Sequence, residues 1–245
     1  MRPVLFNFHG ISIRSYPFFL FVGLSFGIIA GTQAGARNGM DPTRLYIALA
    51  VLIIVALIGS RLMYVLTQLD YFRRNPSKIW QPGASGAAMY GGILLALVCS
   101  WPLLRLMDLS LGKFWDAATI TLLVGMIFTR IGCLLNGCCA GRETTSWLGV
   151  NLPDDKGVSR KRFPTQLLEA LIAVFLLIGA VSWTSRPFDG ALFLVALGVF
   201  CTARLALGPT RENLGTIAGI NTYNAGSVFL ILVSIAGFLA HTNVK

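Results

Sequence analysis

Ala117-Ala-Thr-Ile-Thr-Leu-Leu-Val-Gly-Met-Ile-Phe-Thr129 carries no charge and runs directly into Arg130-Ile-Gly-Cys-Leu-Leu-Asn-Gly-Cys-Cys-Ala-Gly-Arg142. The first part is apolar enough to enter a bilayer. The second opens on a guanidinium and ends in small residues and a second arginine. An arginine at mid-bilayer costs a few kcal/mol on insertion scales, so such a group usually faces a cavity and serves function. At helical spacing Arg130, Cys133 and Asn136 or Gly137 share one face, which gives the charge small and polar neighbours. Gly137 and Gly141 permit a tight turn or a close approach of backbone to a bound group. The stretch reads as an anion-receiving pocket at the edge of a membrane.

Composition extends that reading to the whole chain. Of 245 residues, 55% are hydrophobic and only 12% are charged, against about 25% charged in a soluble domain. A run of roughly 17–25 apolar residues spans the hydrocarbon as a helix. Seven runs of this kind are expected, at about residues 16–32, 45–66, 87–104, 117–137, 166–183, 190–207 and 225–240. The expected fold is therefore all-α: one polytopic integral membrane domain over residues 1–245, with seven transmembrane helices and no soluble domain. The first run lacks an Ala-x-Ala cleavage site and is followed by further runs, so it is expected to be a retained helix. Trp80, in the second loop, is placed as an interfacial anchor. The net charge of +10 is spread between apolar spans, and no basic-aromatic module for nucleic acid is present. Anionic lipid is the better partner for such a charge.

Cys99, Cys133, Cys138, Cys139 and Cys201 all fall in or near spans, unlike the disulfide framework of a secreted domain. The two histidines, His9 and His241, stand at opposite ends. A metal held by Cys133, Cys138 and Cys139 would want a fourth ligand, and small-residue packing is the commoner role of buried cysteine. No metal and no organic cofactor are expected. Neither a Ser-His-Asp set nor a P-loop nor a carboxylate pair is visible.

Arg61, Arg130 and Arg204 sit in apolar context. Snorkelling, or pairing with a carboxylate to tie helices together, is the plain explanation for such residues. For Arg61 it stays open. For Arg130 and Arg204 it is the weaker one, because Glu169 is the only carboxylate within a span and cannot neutralise three cations. A bound phosphate supplies the missing negative charge in the bidentate geometry that guanidinium suits. Tyr16 and Tyr90 lie at span ends, where tyrosine forms interfacial belts, but Tyr90 precedes Gly91-Gly92, where backbone can approach a ligand closely. Asn136 also suits a hydrogen bond between helices.

Over nearly its full length the chain resembles the bacterial prolipoprotein diacylglyceryl transferases. The matching pieces are Ile13-Arg-Ser-Tyr16, Gly59-Ser-Arg61, Asp70-Tyr71, Pro76, Gly83 and Tyr90-Gly-Gly92. Arg130-Ile-Gly132, Asn136-Gly137, Gly141-Arg142, Trp147-Leu-Gly-Val150, Pro164-Thr-Gln-Leu-Leu-Glu169, Arg204 and Arg211 follow in order. The Cys138-Cys139-Ala-Gly141 form looks like a subset of that family. The resemblance implies transfer of a diacylglyceryl group from phosphatidylglycerol to a lipobox cysteine thiol of a preprolipoprotein, with glycerol phosphate leaving. It implies that Arg130 and Arg204 hold the headgroup phosphate and stabilise leaving-group charge, with Tyr16 and Tyr90 beside them as catalytic groups. Tyr90 stands where many members carry a histidine taken as the base. Asn136, Gly137, Gly141, Arg61, Gly91, Gly92, Glu169 and Arg211 are implied to line the substrate chamber, Glu169 as a structural carboxylate.

The chain also departs from that pattern. Cys133 stands for an asparagine, Cys138 and Gly208 for glutamates, Phe200 for a tyrosine and Pro17 for a glycine. Phosphate-binding groups persist while acidic and base-like groups have thinned. A tyrosine of ordinary pKa, about 10, is a poor base at neutral pH, although a thiol nucleophile needs less help. Two further functions are therefore carried along: a related phospholipid-dependent transferase with another acceptor, and a non-catalytic lipid-binding or transport homologue. The location implied is the bacterial cytoplasmic (inner) membrane, in a multi-pass arrangement. Eleven Lys and Arg lie in the N-terminal segment and the even-numbered loops, and six in the odd-numbered loops and C-terminus. The positive-inside rule then favours a cytoplasmic N-terminus. The family resemblance implies the reverse, with cations gathered outside for an anionic lipid.

Overall fold

The computed structural model describes residues 4–8, 11–79, 89–153, 158–211, 216–217 and 220–242. Trp80, Gly83, His9 and the first residues of the expected third span lie outside them. Among the described residues the helices are α1 (Ser15–Arg37), α2 (Pro42–Thr67), α3 (Leu69–Arg74), α4 (Met89–Leu106), α5 (Leu111–Asn136), α6 (Thr165–Ser182), α7 (Ala191–Leu207) and α8 (Thr222–Thr242). Three antiparallel two-stranded hairpins accompany them: β1 (Val4–Phe8) with β2 (Ile11–Arg14), β3 (Val150–Pro153) with β4 (Ser159–Arg162), and β5 (Thr216–Ile217) with β6 (Ile220–Asn221).

Among the described residues, six helices are long and apolar enough to cross a membrane: Ser15–Arg37, Pro42–Thr67, Leu111–Asn136, Thr165–Ser182, Ala191–Thr210 and Asn224–Thr242. The apolar part of α4, Tyr90–Leu106, is shorter. Large apolar side chains such as Phe21, Val98 and Phe175 point outward, about 70% exposed. Water would not tolerate that surface, and lipid does. The protein is a multi-pass membrane protein.

Two helices outrun the expected spans furthest. α1 continues past residue 32 to Arg37, and α5 begins at Leu111 instead of residue 117. Hydropathy marks the apolar part of a helix, whereas tertiary contacts set its end. Asp116, which reads as a loop residue, is 4% exposed within α5. It accepts hydrogen bonds from the Gly190 and Phe193 N–H groups (3.1 and 3.0 Å) and so caps the start of α7.

The buried face of α1 consists of Ser15, Gly23, Gly27, Gly31 and Gly35. A Cβ on Gly27 would stand 2.6 Å from the Thr121 carbonyl oxygen, and one on Gly31 2.8 Å from that of Ala117. α1 and α5 thus run antiparallel with their backbones almost touching, the close approach by which helices associate in lipid. The same device joins α2 to α4, where a Cβ on Gly91 would meet the Gly59 carbonyl oxygen at 2.5 Å. Short turns at residues 38–41, 107–110 and 183–190 connect helices at one end of the bundle. Long connections lie at the other end, and the candidate site is built there.

Candidate active site

Glu169, in the second turn of α6, is fully buried. Three arginines distant in sequence converge on it. Arg130 Nη2 lies 2.6 Å from Oε2, and Arg204 Nη1 lies 3.5 Å from Oε1. Arg211 Nη2 donates a hydrogen bond to Oε1 as well. Arg130 lies two turns before the end of α5. Arg204 is in the last turn of α7, and Arg211 follows the 3₁₀ turn Gly208–Thr210. Arg130 and Arg204 are themselves buried.

Local chemistry fixes these elements relative to one another. Gly137 adopts φ 77°, a left-handed cap that ends α5 and favours glycine. The chain then turns through Cys138 and Cys139, and α6 clamps it from below. Gln166 Nε2 donates to the Cys138 carbonyl and Thr165 Oγ1 to that of Cys139, both at 2.8 Å. At Gly141 a Cβ would stand 2.6 Å from the Thr210 carbonyl oxygen and 2.7 Å from Phe163 Cβ, so only glycine fits. Gly141 bridges to Arg211, and the Arg142 N–H donates to the Thr210 carbonyl at 2.8 Å. The strand-like passage from Gly141 therefore delivers Arg211 to Glu169.

One carboxylate aligns three guanidinium groups here, and within a protein such charges interact more strongly than in water. An anion with several acceptor oxygens, such as a phosphodiester, matches forks of this kind.

Tyr90 (8% exposed) lies beneath Arg204, whose Cζ stands 5.5 Å from its ring centre. Its hydroxyl shares a 2.6 Å hydrogen bond with Ser227 Oγ of α8. Tyr90 thus ties α4 to α8 and offers a cation–π face to Arg204. Tyr16 sits where α1 crosses α5 at Gly132, whose Cβ would meet Tyr16 Cα at 3.3 Å. It is within electrostatic reach of Arg130, Cys133, Cys138 and Cys139. Asn136 is the last residue of α5. Hydrogen bonds from the Cys133 and Cys138 thiols, and then the charges of Arg130 and Arg211, pull the Cys139 thiol below its usual range.

Other expected site residues are engaged elsewhere. Arg61 Nε donates to the Ile79 carbonyl (2.7 Å) and Nη2 to that of Lys78 (3.1 Å), with the rings of Tyr64 and Phe72 alongside. It holds the turn after α3 against α2. Gly91 and Gly92 lie under the carbonyls of Gly59 and Ala56, so their missing side chains serve a helix crossing. A pocket lined by Trp101, Leu104, Arg105 and residues 108–111 lies at the opposite end of the bundle. The clamp of Thr165 and Gln166 was not anticipated. The spacing of Gln166 and Glu169, three apart on one helical face, was its available signal.

A profile of the prolipoprotein diacylglyceryl transferase family matches residues 3–240, and the chain belongs to that family of membrane-embedded transferases. A phosphatidylglycerol–prolipoprotein diacylglyceryl transferase of Clostridium perfringens is 31% identical, covering 96% of this chain and 93% of its own. Enzymes of the same name from Dehalococcoides mccartyi and Clostridium tetani are each 26% identical over 97% of this chain, and over 92% and 97% of their own.

Proposed function

We propose that the chain is a phosphatidylglycerol–prolipoprotein diacylglyceryl transferase whose donor phosphate rests on Arg130, Arg204 and Arg211. The single observation that carries this reading is the convergence of those arginines on Glu169. Glu169 keeps the guanidinium groups aligned toward one point, where a phosphate can engage their forks. The acceptor thiol gives its proton to water, and its sulfur attacks the glycerol carbon that bears the phosphate. The C–O bond breaks, its electron pair stays on the phosphate oxygen, and glycerol phosphate leaves. Charge growing on that oxygen falls to the arginines, a preorganised stabilisation commonly worth a factor of about 10²–10³ per donor. Tyr90 supports Arg204, Tyr16 and Asn136 border the headgroup, and Gly137 and Gly141 shape the loop that closes it.

In this reading α4 completes a set of seven spans around the headgroup chamber. The protein sits in the bacterial cytoplasmic membrane with its N-terminus and the arginine cluster on the outer side. The basic residues at that end then serve the anionic donor and its product, which accounts for their disagreement with a charge-based orientation.

Incubating the purified protein with phosphatidylglycerol and a lipobox peptide tests the reading by mass spectrometry. A diacylglyceryl thioether and free glycerol phosphate are expected, and Arg130→Ala or Arg204→Ala should slow the formation of both by a factor of about 10²–10³. Lipidation at the full rate in both variants rejects the site. Phosphatidylglycerol consumed without peptide lipidation points to another acceptor, and lipid bound but not consumed points to a non-catalytic binding protein.

A further inference from the structure

The sulfur atoms of Cys133, Cys138 and Cys139 lie within 4.8 Å of one another. Packing alone would put one small residue against another, but it does not explain the backbone here. Cys139 adopts φ 62°, a left-handed conformation that costs a non-glycine residue about 1–2 kcal/mol. α6 holds the turn in place through both of its carbonyls. Cys133 lies one helical turn beyond Arg130, so the thiols adjoin the arginine cluster. Two sulfurs on one zinc ion stand about 3.8 Å apart, as Zn–S bonds of about 2.3 Å in a tetrahedron require. Side-chain rotation inward by roughly 1 Å therefore makes three ligands of the three thiols.

We propose that Cys133, Cys138 and Cys139 form a zinc(II) site whose fourth position takes the thiol of the acceptor cysteine. Sequence spacing argued against a metal for want of a fourth ligand, yet catalytic zinc sites have three protein ligands and one open position. Three thiolates and Zn²⁺ sum to −1, a charge that the neighbouring guanidinium groups stabilise. Cys139 is exposed whereas Cys133 is buried, so the open position faces outward. An entering thiol gives its proton to water and binds as thiolate, since a metal-coordinated thiol is deprotonated outright. Its sulfur lone pair then attacks the glycerol carbon while the C–O electron pair departs with the phosphate. The resulting thioether is neutral, a weak ligand, and dissociates. A site of this kind supplies the activated nucleophile that Tyr90 is poorly suited to generate. This inference rests on the proposed transferase function for its acceptor but not for its metal.

Zinc content per chain, measured by plasma mass spectrometry on protein purified without chelators, is expected to be one. It should fall to background in Cys139→Ser and in Cys133→Ser, and remain at one in Cys99→Ser. Cys139→Ser lies on an exposed turn, so its loss of zinc is not a folding effect. After exchange with cobalt(II), the thiolate charge-transfer band should change when a lipobox peptide binds, and stay the same with a peptide carrying serine in place of the cysteine. Protein lacking zinc and two hydrogens lighter has a disulfide instead, and overturns the proposal. So does a cluster that takes copper(I) and refuses zinc. Full-rate lipidation by metal-stripped protein overturns it and leaves the transferase intact. Zinc bound, with a cobalt spectrum that responds to the peptide thiol but no lipidation, sustains the site and removes the transferase.

Discussion

Removing the Glu169 carboxylate leaves Arg130, Arg204 and Arg211 with no shared acceptor at the point where they meet. Breaking a buried ion pair by deleting one partner costs about 3–5 kcal/mol. Glu169→Ala should therefore lower the thermal midpoint of the detergent-purified protein by many degrees, and phosphatidylglycerol in the micelles should recover part of the loss. In the proposed reaction Arg130→Ala removes a donor to the leaving oxygen, with an expected fall in kcat of about 10²–10³. Arg130→Lys keeps the charge but loses the fork, so lipid binding should outlast turnover in that variant. Arg130, Arg204 and Glu169 were legible because charge inside apolar sequence must have a reason. The role of Glu169 as hub was not legible, since one residue reveals the cost of burying its charge but not the partners that offset it. Arg61 carried the same signal as Arg130, yet backbone carbonyls of the turn after α3 occupy it.

At the scale of the element, helices in this protein meet through absent side chains. A Cβ at Gly27 would collide with the Thr121 carbonyl at 2.6 Å, and neither backbone can move without opening the α1–α5 seam. Gly27→Ala should destabilise by about 1–3 kcal/mol, as overpacking does. At Gly179, in α6, no atom stands within 4 Å of the added carbon. Gly179→Ala should be neutral or stabilise by up to about 1 kcal/mol, from helix propensity alone. The same unfolding assay compares the two. Asp116→Ala frees the Gly190 and Phe193 N–H groups at the start of α7, an expected loss of about 1–2 kcal/mol. Apolar run length found six of the seven expected spans, while these seams stayed hidden because hydropathy scores a glycine without regard to what it faces. The β1–β2 and β3–β4 hairpins escaped notice for a related reason: short segments beside strong helical signals carry little periodicity of their own.

For the whole molecule, two exposed turns report which end faces out. Trp147, before β3, is 86% exposed at the arginine end, and Asn38 lies in a short turn at the other end. With Cys139→Ser as background, Trp147→Cys should react in intact cells with a membrane-impermeant maleimide, and Asn38→Cys only after permeabilisation. The opposite labelling would restore the charge-based orientation and place the donor site inside the cell. Counting lysines and arginines could not decide this, because the count treats a cation that binds ligand like one that merely avoids translocation.

The four residues that meet at the buried ion-pair cluster come from positions 130, 169, 204 and 211. A chain emerging from the ribosome can pair α2 with α4 and α1 with α5 well before Arg204 and Arg211 exist to meet Glu169. Its competence arrives almost with its last helix, so a truncated product lodged in the membrane is inert and cannot squander phospholipid.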